Sequence, residues 1–110
     1  MLNDKIVNRP MLIFNTTFLV SDNALDAWHK WIPEQHIPFM LQFKPFSNPQ
    51  VAKVITNHKQ EGTSFSVQFH IHDMETLGIW NERFGTTFQE NCAKEFGTEV
   101  IFFTTVLEII

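Results

Sequence analysis

Few side chains in this sequence have the chemistry for a site. His36 comes first, because it falls within an apolar repeat at helical spacing, Leu25, Trp28, Ile32 and Phe39, that would turn it toward a sheet. An imidazole in an apolar pocket can serve as acid or base near neutral pH. The plainer reading is a histidine that bonds a backbone carbonyl and packs in front of Pro38. A second group is Asn15, Thr17, Ser66, Gln68 and His70, which recur on alternate positions of two strand-like segments. If those strands are neighbours, the five converge on one face, as polar groups do where a small ligand is oriented. The plainer reading here is an interface network or trapped water. His70 and His72 are two apart on one strand face, but a metal needs three or four ligands and no third has suitable spacing, so no metal site is expected. Cys92 continues an apolar helical stripe and reads as a small buried hydrophobe. No Ser-His-Asp order, glycine-rich phosphate loop or cysteine pair is present, and no cofactor is expected.

The elements that must position these groups can be traced by periodicity. MLIFNTTFLV, residues 11–20, is rich in β-branched and aromatic residues with both faces partly apolar, which predicts a central strand. Ser21 and Asp22 offer a cap for a helix whose apolar stripe runs from Leu25 to Phe43. Pro33 and Pro38 interrupt it, so a kinked helix or two abutting pieces are expected. Residues 44–49 read as a loop, 51–57 as a strand, and 58–62 as a turn through His58. From Thr63 to His72, Phe65, Val67, Phe69 and Ile71 alternate with Ser64, Ser66, Gln68, His70 and His72, the pattern of a half-buried strand. Asp73 is placed to cap a second helix with a stripe of Leu77, Trp80, Phe84, Phe88 and Cys92, which Gly97 ends. A last strand spans 98–109. The order β-α-β-β-α-β predicts an α+β ferredoxin-like sandwich, an antiparallel four-stranded sheet with two helices on one face. It would form one domain over residues 1–110, with 1–9 a loose leader.

Composition narrows the partners. Of 110 residues, 44% are hydrophobic and 18% charged, as in a folded domain. Twelve Phe and three Trp supply more apolar bulk than one sheet face needs. The helices would cover Phe14, Phe18, Phe65 and Phe69. The other face, with Met11, Ile13, Leu19 and one side of the last strand, would stay wet in a monomer, so a homodimer packed sheet to sheet is expected. A net charge of −4 argues against nucleic acid. The one apolar run near the N-terminus is too short and too polar for a membrane span or a signal peptide. With a single cysteine, a cytoplasmic protein is expected.

Ile13-Phe14-Asn15-Thr16-Thr17, Trp28-His29-Lys30-Trp31 running to His36-Ile37-Pro38, Ser66-Val67-Gln68-Phe69 and Thr104-Thr105-Val106-Leu107-Glu108 together resemble a family of small bacterial proteins known as a domain of unknown function. Its pattern reads YNVTV, W..WM, HIP, YS.QY, RFG and F.TLLE, and the resemblance covers about residues 11 to 110. It implies membership of the dimeric α/β-barrel superfamily, in which two ferredoxin-like subunits face their sheets together around a small cavity. That superfamily includes monooxygenases, isomerases, haem-degrading enzymes and ligand binders. The chain departs from the pattern at Pro33, so the straightness of the first helix and the placement of His36 depend on how the prolines are absorbed. Two functions follow as expectations. The favoured one is a homodimeric binding or interaction module whose shared cavity holds a small apolar molecule or only water. The alternative is a cofactor-free monooxygenase or isomerase of a small organic substrate, with His36 as acid/base and Asn15 and Gln68 orienting the substrate.

Overall fold

In the computed structural model, which describes residues 11–56 and 61–110, four strands and a broken helical layer follow the expected order. Strand β1 is Met11–Val20; a short 3-10 turn, Asp22–Ala24, leads into helix α1, Leu25–Trp31. A π-helical turn, Ile32–His36, joins α1 to α2, Ile37–Leu41. Strand β2 is Ser47–Lys53, β3 is Thr63–Ile71, helix α3 is Met74–Phe96, and β4 is Val100–Ile109. The sheet order is β2-β3-β1-β4 and every neighbouring pair is antiparallel. This is the ferredoxin-like α+β arrangement, with the helices on one face. The loose leader and the turn through His58 lie outside the described residues.

The two prolines are absorbed by a π turn. Pro38 has no N–H for the carbonyl four residues back, and its ring would crowd that carbonyl in a regular α-helix. A wider turn relieves the clash, and the N–H of Ile37 reaches the carbonyl of Ile32 five residues earlier. The widening advances the inward position by one residue. Phe39, expected inside, is only half-buried, while Met40 is fully buried. His36 still faces the sheet, at 3% exposure.

β2 corrects a second expectation. The stretch read as a loop already pairs from Ser47, and the strand ends at Lys53. All seven of its residues are exposed, so backbone bonding to β3 holds it. A register irregularity lies between Ser47 and Gln50, where Asn48 adopts a left-handed φ of 52° and Pro49 needs no donor.

The core is aromatic. Phe14 meets Phe46, Trp80 and Phe88 at centroid distances of 5.9, 5.2 and 6.1 Å. At the other end, Trp28 lies stacked on Phe65 at 4.4 Å and edge-on to Phe18 at 5.4 Å. Asp73 caps α3 by accepting from the N–H of Thr76 at 2.8 Å. Gly62 has a φ of 84°, and a Cβ there would sit 2.4 Å from the Val20 carbonyl oxygen, so the close entry of β3 beside β1 requires glycine. The helical layer stops short of β4. Val100 is buried and Phe102 half-buried, but Thr104, Val106 and Glu108, on the same side, are exposed.

Candidate functional site

Pairing β1 with β3 in the register Asn15 to Gln68 and Thr17 to Ser66 sets four of the five polar candidates side by side on the outer face of the sheet. They form a chain of hydrogen bonds. The Gln68 amide donates to the Ser66 hydroxyl at 3.2 Å, the Ser66 hydroxyl donates to the Asn15 carbonyl oxygen, and the Asn15 amide donates to the Thr17 hydroxyl at 3.0 Å. Asn15 is buried even in the single chain. Alternation alone brings these groups together, because period-two side chains on paired strands must share a face.

His70 is on that face but outside the chain of bonds. Its Nδ1 lies 3.3 Å from the Asn48 amide nitrogen of the edge strand. Asn48 gave no signal in the sequence beyond lying next to Pro49, where its left-handed backbone favours asparagine. His72 is exposed at the end of β3. Among the described residues, no three or more His, Cys, Asp or Glu converge as a metal would require. Apolar side chains surround the polar chain: Leu19, Ile101 and Phe103 with Thr17 line a shallow hollow of about 190 Å³. Ile101 is 58% and Phe103 62% exposed, and Leu107 and Ile109 continue the surface along β4.

His36 lies on the opposite side of the sheet. Its ring stacks on Trp31 at 5.0 Å and meets Phe18, Phe69 and Phe88 at 5.6, 6.4 and 5.9 Å. Burial among these rings lowers its pKa from 6.5 to about 4, since a charged imidazole would lose its water there. The ring is therefore neutral at pH 7. The expected backbone carbonyl partner is missing at Nε2, which is buried without any hydrogen bond. The sheet also separates His36 from Asn15 and Gln68, so the three cannot act on one substrate as expected. Cys92 is buried, and burial raises its thiol pKa to about 11, which keeps it protonated and unreactive.

Residues 11–110 match the family described as a domain of unknown function, DUF4286. The chain belongs to this family. No curated protein is recognisably similar to it. Among solved structures it is similar to an ethyl tert-butyl ether d (EthD) family protein from Bacillus halodurans C-125, at 11% identity and a TM-score of 0.68, covering 90% of this chain and 99% of that one. It is similar too to a dimeric ferredoxin-like protein from an uncultured marine organism, at 17% identity and 0.59, covering 92% and 95%. An EthD-like protein from Ralstonia eutropha JMP134 matches at 12% identity and 0.63, covering 93% and 94%. At these identities the likeness is one of fold. No helix of the described residues is long and apolar enough to cross a membrane.

Proposed function

We propose that this DUF4286 member works as a homodimer whose two sheets pack face to face, and that the Gln68–Ser66–Asn15–Thr17 chain lines a small shared cavity able to orient a small apolar molecule. The observation that carries the reading is the outer face of β4. Ile101, Phe103, Leu107 and Ile109 stand exposed in one row, each beside a β1 residue of the same face. Thr105 alone interrupts the row, and an exposed apolar surface of this kind favours association, at roughly 25 cal/mol for each Å² removed from water. Val106, 40% exposed on the other side of the same strand, extends the surface around the sheet edge. That a dimer occurs among the ferredoxin-like relatives of this fold supports a second copy as the partner.

The cofactor-free enzyme is the weaker reading. A base with a pKa of about 4 is poorly matched to proton abstraction at neutral pH, and the groups meant to orient its substrate lie across the sheet. Light scattering on the full chain tests the proposal. The expected mass is twice the 12.9 kDa of the chain, and Phe103→Glu with Leu107→Glu should return a monomer. A monomer mass for the unaltered protein at micromolar concentration would reject the dimer and its cavity together. Native mass spectrometry of the purified dimer then asks whether a small molecule travels with it.

A further inference from the structure

The outer face of the sheet carries no charged side chain. By the strand registers it holds the odd positions of β1 and β4, the even positions of β3, and Ser47, Gln50 and Ala52 of β2. None of these is Asp, Glu, Lys or Arg. The charged residues within the strands, Lys53 and Glu108, pair with Phe65 and Leu12 and so fall on the helix-facing side. A solvated face has no need to avoid charge in this way, whereas the centre of an interface does. One side chain of the face can still acquire charge. His70 is half-buried on β3, opposite Ile13 of β1, and Ile13 in turn stands opposite Leu107. The imidazole thus shares a cross-strand row with the exposed apolar edge.

The contacts of His70 select its neutral form. The Asn48 amide nitrogen, which can only donate, lies 3.3 Å from Nδ1. Nδ1 therefore accepts, and the ring proton sits on Nε2. An imidazolium donates from both nitrogens, so it would have to turn the Asn48 amide over. Across the ladders His70 meets Ile13 and Ser47, and along its own strand Gln68 and the exposed His72. No carboxylate stands among the described residues of this face to balance a positive ring, and in two-fold packing the partner brings the same uncharged face.

We infer that His70 makes the sheet-to-sheet dimer acid-sensitive: the pair forms with both His70 rings neutral and separates as they take up protons. This rests on the dimer proposed above. Histidine is the side chain that ordinarily changes charge between about pH 5 and pH 8. A separated protomer leaves the ring in contact with water and free to charge. The pair removes it from water, where a charge without a partner is costly. Protons therefore bind the separated form more tightly, so falling pH favours separation and rising pH restores the pair.

The experiment is sedimentation of the full chain through a dilution series at about pH 7.5 and about pH 5.5, on either side of the ordinary histidine midpoint. The dimer Kd should rise about tenfold or more at the lower pH, because each protomer takes up a proton on separation. Circular dichroism should show folded protomers there. His70→Gln, which stays uncharged and can still face Asn48, should hold one Kd at both values. His72→Gln, changed at the exposed end of β3, should keep the full response. If His70→Gln does not fold, the ¹⁵N ring signals of His70 in the unaltered chain carry the test: by linkage their titration midpoint should fall as protomer concentration rises. A Kd equal at the two pH values, a response that survives in His70→Gln, or a His70 midpoint indifferent to concentration overturns the inference. So does unfolding at the lower pH in place of separation into folded protomers. A monomer already at the higher pH rejects the dimer itself, and the acid response with it.

Discussion

Acid should weaken this fold through His36 before its carboxylates titrate. The folded chain holds the imidazole neutral down to about pH 4, whereas an unfolded histidine takes up its proton near pH 6.5. As pH falls between those values, the unfolded chain binds the proton first, so stability declines with falling pH and the loss is complete once pH passes the folded value. At about 1.4 kcal/mol for each pH unit, the whole window is worth roughly 3 kcal/mol. The group is buried, so solvent screening does not reduce this much. The rings packed on it, Trp31, Phe18, Phe69 and Phe88, carry no charge, and Lys94 and Glu95, which line a hollow with it, are both exposed.

The assay is urea unfolding of the unaltered chain and of His36→Phe between about pH 7 and pH 4.5, at one fixed protomer concentration because a dimer's stability depends on it. Phenylalanine removes the unpaired nitrogen and adds a little bulk, two changes of about 1 to 3 kcal/mol with opposite sign. Near pH 7 the variants should therefore differ modestly. At about pH 4.5 the unaltered chain should have lost roughly 2.5 kcal/mol more than His36→Phe, two pH units of the linkage slope. Parallel pH profiles would refute the reasoning, since they would mean that the His36 ring takes its proton in the folded state without penalty.

Two further outcomes follow from close geometry. Gly62→Ala should lower stability in urea unfolding by more than about 1 kcal/mol, because a positive φ and a Cβ against the Val20 carbonyl oxygen are both unfavourable; a neutral result would show that β3 can enter elsewhere. Ser66→Ala removes the donor to Asn15 and the acceptor for Gln68, and should cost roughly 1 to 3 kcal/mol by chemical unfolding if those groups stay dry. A loss near zero would mean that water replaces the hydroxyl.

Legibility in the sequence tracked how each element is held. β1, β3 and α3 are stabilised by apolar faces, and their spacing showed in the residue pattern, down to Asp73 as the α3 cap. β2 was misplaced because nothing about SNPQVAK is buried; an edge strand kept by its backbone ladder leaves no side-chain period to read. The inward side of the first helix was right as far as His36 and off by one at Phe39, because a π turn adds a residue that a 3.6-residue period cannot anticipate. The polar chain on the outer face was legible, since strand alternation fixed it once β1 and β3 paired. The Asn48 contact to His70 and the hollow beside His36 were not, for both arise where separate elements meet in space.

The sheet itself divides the chemistry. Odd positions of β1 carry Asn15 and Thr17 outward while Phe14 and Phe18 turn toward the helices, and the helix-facing side is where His36 packs. A strand cannot present neighbouring residues to the same side, so a substrate held by Asn15 and Gln68 never meets the imidazole. A single active site built from all these residues is thus excluded by the period of a β-strand, whatever the oligomeric state. What remains are two surfaces with different needs. The outer one leaves exposed apolar side chains around polar groups that already satisfy one another, and calls for a cover. The inner one buries two ring nitrogens, Trp28 Nε1 and His36 Nε2, without hydrogen bonds among its aromatic side chains, and is already covered by the helices. Breaking the dimer should therefore expose the first and leave the second intact.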